Sequence, residues 1–96
     1  MQHFVVEVIY KAPIEEIDNA LAEHRAFLQE GYDKGILLMS GPQLPRTGGI
    51  IIGRAESMEE FAAYISEDPF NIKGLAEYQY IQFNPVKHQE FLTNWL

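Results

Sequence analysis

The chain has 96 residues, 47% of them apolar, no cysteine, and a formal net charge of −7. This length supports one domain, residues 1–96, with a core of its own, and the missing cysteine excludes disulfides, thiolate catalysis and cysteine-ligated metal. An acidic chain without a basic cluster repels phosphate backbones, so nucleic acid and anionic membrane surfaces are excluded as partners.

No apolar run approaches the roughly 20 residues needed to span a bilayer. The opening stretch, MQHFVVEVIYK, lacks the basic region and small-residue cleavage site of a signal peptide. Together with the absence of cysteine, which fits a reducing compartment, this leads to the expectation of a cytoplasmic protein.

Residues 2–10, QHFVVEVIY, are rich in β-branched and aromatic side chains and predict a strand. Pro13 suits the first turn of a helix, where its missing N–H has no intrahelical partner to lose. From Ile14 the spacing turns helical, with Ile14, Ile17, Leu21, His24 and Leu28 forming a stripe and Gly31 or Gly35 as the stop. GILLMSGP predicts a second strand closed by Gly41-Pro42, QLPRTGG a loop, and IIIGRA a third strand. Ser57-Met58-Glu59-Glu60 is a capping box opening a helix that runs to about Ser66, with Phe61, Ala62 and Ile65 inward. Asp68-Pro69 stops it, FNIKGLAE is a short connector, and YQYIQFNP predicts a fourth strand. From about residue 86 the chain is a tail or short helix, whose Phe91, Leu92, Trp95 and Leu96 seek burial.

The order βαββαβ predicts an α+β, ferredoxin-like fold: a four-stranded antiparallel sheet with two helices on one face. The other face should be polar, yet alternation makes both faces apolar. Phe4, Val6, Val8 and Tyr10 oppose Val5 and Ile9. Leu37 and Met39 oppose Ile36 and Leu38. Ile51 opposes Ile50 and Ile52, and Tyr78 and Tyr80 oppose Ile81 and Phe83. The natural cover is a second copy, sheet on sheet, in a homodimer, with the C-terminal aromatics able to cover part of the same face.

His24 is the residue out of place. At about 100° per residue it falls inside the apolar stripe, where an imidazole must satisfy both a donor and an acceptor. A backbone carbonyl would make it a structural histidine. The acid–base alternative needs a carboxylate partner, and the candidate is Asp68, which follows the second helix on the same side of the sheet. A carboxylate there accepts from an imidazole N–H, fixes the tautomer and raises basicity. Asp68 is equally suited to a plain turn, since Asp-Pro opens turns. Arg46, in the 43–49 loop, can reach over a pocket to hold a substrate carboxylate, or stay a solvated charge. Arg25 points about 100° away from His24 and reads as a surface residue. Tyr78 and Tyr80 read as core or interface residues. The three histidines, with His3 and His88, lack metal-ligand spacing, the glycine-rich loop lacks the context of a phosphate loop, and no serine sits in a nucleophile elbow.

EHRAFL on the first helix, the second strand running into SGP, and EDPF after the capped helix together resemble the YciI-like (YCII-related) family, over about residues 1–90. The resemblance implies a dimeric ferredoxin-like α+β barrel and an active-site cleft built on a histidine and an aspartate, here His24 and Asp68. It implies that Ser40, Gly41 and Pro42 line the same pocket and that Phe70 is its apolar wall. Some relatives look like lyases or dehydrochlorinases of small ring compounds, and isomerase barrels share the architecture, so the first expectation is a small enzyme of lyase, dehydrochlorinase or isomerase type acting on a small molecule with no cofactor and no metal. In that reading the Ser40-Gly41 backbone and the Ser40 hydroxyl stabilise developing negative charge. The alternatives are a barrel that binds a small ligand without transforming it, and a protein whose His24 and Asp68 serve only stability and assembly.

Overall fold

The computed structural model describes all 96 residues. Strand β1, Gln2–Tyr10, sends Phe4, Val6 and Val8 into the core at 2% exposure or less. Helix α1, Ile14–Asp33, starts from Pro13, which lies just outside it in an extended conformation, and the Pro13 carbonyl accepts from the Glu16 and Ile17 N–H groups. Glu15 and Glu16 place negative charge on its first turn, where the helix dipole favours it. The helix runs through Gly31 and ends at Lys34. Gly35 (φ 74°) then makes the left-handed reversal that a side chain would disfavour.

Strands β2, Leu37–Pro42, and β3, Gly48–Ala55, follow, joined by a loop with a cis Leu44–Pro45 peptide. Helix α2, Met58–Ile65, carries one arm of the expected capping box, the Ser57 hydroxyl accepting from the Glu60 N–H at 3.1 Å. The connector after Asp68 forms a single helical turn, α3, Pro69–Ile72, and β4 spans Ala76–Phe83. The four strands are antiparallel in the order β2-β3-β1-β4, as the ferredoxin-like pattern requires. No helix is long and apolar enough to cross a membrane.

One register feature departs from simple alternation. Leu37 pairs with Gly53 and Met39 with Ile52, so Leu38 is the extra residue of a β-bulge. The bulge separates Leu37 and Met39, which strict alternation puts on one face: Leu37 is 3% exposed in the core, whereas Met39 is 54% exposed on the far face beside Ile52. Beyond the bulge Ser40 pairs with the buried Ile51, which turns its side chain toward the helices.

Between the sheet and the helices lies one core cluster, including Phe4, Ile17, Ile51, Phe61, Ile65 and Phe70. Helix α2 reaches α1 at Gly31 through the Tyr64 side chain. Tyr64 stacks on Phe27 (centroids 4.7 Å apart) and donates from its hydroxyl to the Phe27 carbonyl at 3.1 Å. A Cβ on Gly31 would collide with that hydroxyl and stand 2.8 Å from Leu37 Cδ1.

The far face is partly covered by the C-terminal segment, which makes a 3₁₀ turn at Glu90–Leu92. Trp95 lies beside His3, under the Arg54 guanidinium (4.7 Å to the ring centre), and Arg54 also donates to the Trp95 carbonyl. Leu92, Trp95 and Leu96 are half-buried as their apolarity predicts, but Phe91 is 82% exposed, because the turn points it outward. Ile81 and Phe83 stay exposed on this face.

Gly31→Ala is expected to destabilise the protein by roughly 1–3 kcal/mol, the range for an extra methyl forced into a packed site. Chemical denaturation measures it, and an unchanged midpoint would show that α1 and α2 have room to separate.

Candidate active site

Asp68 is the N-cap of the one-turn α3, and this position explains where its carboxylate goes. The Oδ1 atom accepts from the Phe70 N–H at 3.1 Å, which holds the side chain back under the helix rather than out in solvent. The carboxylate is fully buried, at 0% side-chain exposure. A carboxylate there needs donors on both oxygens. His24 Nδ1 lies 2.7 Å from Oδ1, and the Tyr78 hydroxyl donates to Oδ2 at 2.6 Å. An ionised carboxylate only accepts hydrogen bonds, so the Nδ1 contact places a proton on that nitrogen and leaves Nε2 as the basic one.

The imidazole is fixed from a second direction. Phe70, next but one to Asp68 and 1% exposed, stacks flat on His24 with centroids 4.0 Å apart and planes 6° from parallel. His24 comes from α1 and retains 13% side-chain exposure. That opening leads into a cavity of about 460 Å³, lined by His24, Phe70, Ser40, Gly41, Pro42 and Arg46, along with Val8, Leu21, Leu28 and Ile51 from the core side. Every site residue expected from the sequence lines it except Asp68, which is sealed behind the imidazole and meets the cavity only through it. No group of three or more His, Asp or Glu side chains converges in a metal-binding arrangement.

Arg46 reaches the cavity as anticipated, but its guanidinium is tied to Asp18 of α1 at 2.7 Å. That hydrogen bond holds its pKa above the ordinary arginine value. Arg25 is exposed, as the surface reading has it, and in addition lines the cavity. A step of about 100° from His24 leaves it at the mouth, not on the opposite side of the helix.

The tyrosines carry more than the sequence reading gave them. Tyr78 is the second anchor of Asp68, and burial first, then the bond to that carboxylate, pushes its pKa far above the usual phenol range. Tyr80 is shifted upward by burial and then by the Asp68 charge. Tyr32 makes a 2.6 Å hydrogen bond with the Ser40 hydroxyl, and Tyr10 lines the cavity. In the sequence, Tyr78 was visible only as one of two tyrosines on the inward face of β4. Alternation gives the face but not which hydroxyl reaches a carboxylate.

Asp68→Ala strands the imidazole N–H, the Tyr78 hydroxyl and the Phe70 amide together. It is expected to cost about 3–5 kcal/mol, the range for breaking one side of a buried charged network, whereas Tyr78→Phe costs about 2 kcal/mol. The folded Tyr78 pKa is raised, so its stabilisation is present below the unfolded pKa of about 10 and is lost as pH rises above it. Denaturation curves at pH 8 and pH 11 test this: Tyr78→Phe should flatten the alkaline decline, and an undiminished decline would contradict the assignment.

Among solved structures the fold is similar to 5-chloro-2-hydroxyhydroquinone dehydrochlorinase (TftG) from Burkholderia phenoliruptrix AC1100, solved in complex with 2,5-dihydroxybenzoquinone. The TM-score is 0.70 at 23% identity, covering 93% of this chain and 97% of that one. At this identity the likeness is one of fold. A comparison with curated proteins returns no match. The family model described as YCII-related domain matches residues 1–84, and the chain therefore belongs to the YCII-related family.

Proposed function

We propose that this protein is a small acid–base enzyme in which His24 moves a proton on a small molecule held in the cavity, with Asp68 as its orienting partner. The observation that carries this reading is the 2.7 Å contact between His24 Nδ1 and a fully buried Asp68, at the wall of an open cavity. Asp68 holds one tautomer, Phe70 holds the ring plane, and the Nε2 lone pair is left for the ligand. As Nε2 takes a proton, the imidazolium that forms lies against a carboxylate already in place, so little reorganisation accompanies the transfer. The Ser40 hydroxyl, supported by Tyr32, supplies a hydrogen bond for negative charge developing on a substrate oxygen.

The reaction class that this kit suits is an elimination or isomerisation begun by proton removal, and the dehydrochlorinase of similar fold supports the elimination arm. The same reading takes the active molecule to be a homodimer. Its support is the far face of the sheet, where Met39, Ile81 and Phe83 remain 54%, 57% and 42% exposed despite the C-terminal segment.

The test begins with 5-chloro-2-hydroxyhydroquinone, the compound for which the similar structure is named, followed by other small hydroxylated rings, with chloride release and absorbance as readouts. Turnover by the native protein should fall about 10²–10⁴-fold in His24→Ala, the range for loss of a general acid–base group. Turnover that survives in His24→Ala would sink the proposal. A ligand that binds and is recovered unchanged would point instead to a passive binding protein.

A further inference from the structure

The walls of the cavity include Val8, Leu21, Leu28, Ile51 and Pro42 beside the polar groups already described, and its charge is one-sided. The lining includes two arginines, Arg25 and Arg46, and no aspartate or glutamate. That is unexpected in a chain with 14 acidic residues against 7 Lys and Arg. The one carboxylate nearby, Asp68, is fully buried and engaged with His24 and Tyr78. Arg46 is balanced by Asp18 at 2.7 Å. Arg25 is balanced by nothing: the ion pairs of the protein are Lys11–Glu77, His24–Asp68, Arg46–Asp18 and Lys73–Glu23. It follows His24 directly on α1, so a ligand beside the imidazole is also within the field of this free guanidinium.

We infer that the ligand of this cavity is a small monoanion with an apolar body, its carboxylate or phenolate-type oxyanion held by Arg25. The body packs against Leu21, Leu28, Val8 and Ile51, and the charge stays at the mouth. One unpaired cation matches one negative charge, and a dianion would have to take Arg46 from Asp18. A guanidinium presents paired N–H donors to such an oxyanion, which a lysine at this position would not. The assignment rests on the proposed function for the chemistry at His24, but the binding it describes does not depend on that chemistry.

The test uses two probes of equal shape, 2-naphthoate and its uncharged isostere 2-naphthamide, with binding to the full chain followed by amide chemical shifts at pH 7. The native protein should bind the anion more tightly than the amide. Arg25→Gln should weaken the anion about tenfold or more, the loss of a hydrogen bond to a charged group, and leave the amide unchanged. Equal affinity for the two probes, no binding of the anion, or an Arg25→Gln effect below twofold would each overturn the inference. His24→Ala separates this outcome from the catalytic reading, since it should remove turnover while retaining the Arg25-dependent preference for the anion.

Discussion

The burial of one carboxylate is the constraint on which the site depends. Asp68 lies fully inside the protein, and an ionised group there is tolerable only with donors on both oxygens. The fold supplies them from three separate elements: a main-chain amide of α3, an imidazole of α1 and a phenol of β4. The same hydrogen bonds that solvate the charge therefore fix the helix, the connector and the edge strand relative to one another. Stability and site geometry share their atoms here, so a substitution at Asp68 perturbs both.

Much of this could be read from the sequence, and the unread parts have physical reasons. Alternation in β1 and the α1 stripe from Ile17 to Leu28 report burial directly, because water penalises an apolar side chain wherever it is exposed, whereas Ile14, the first residue of that stripe, is 38% exposed on the opening turn. The Ser57 cap was legible because its hydrogen bond is local. His24 was conspicuous because an imidazole breaks a stripe, and Asp68 because it follows a capped helix on the same side of the sheet. The bulge at Leu38 was not legible. A run of apolar residues with both faces apolar carries no phase, and only pairing with β3 sets one. Tyr78 was hidden for a related reason, since periodicity specifies a face and not a distance.

Membership of the YCII-related family and the ferredoxin-like order agree with each other, yet neither assigns a reaction. What His24 can do follows from its local geometry. A histidine stacked on Phe70, with one nitrogen occupied and 13% of its side chain open to a cavity, differs from a sealed structural histidine in that last respect alone. His3 offers the contrast within the same chain. It is buried, its Nε2 has no partner, and desolvation lowers its pKa, so nothing prepares it to hold a proton.

The bulge in β2 divides the strand into two tasks. Before it, Leu37 fills the core, and after it, Ser40 and Pro42 face the cavity. A single residue of chain length thus determines which side chains face the cavity. Across related sequences, the pocket can be rewritten by gaining or losing one residue near position 38, with every other amino acid retained. Variation in specificity within such a fold would then be recorded as length differences in an edge strand, where a comparison of residue identities alone would pass over it.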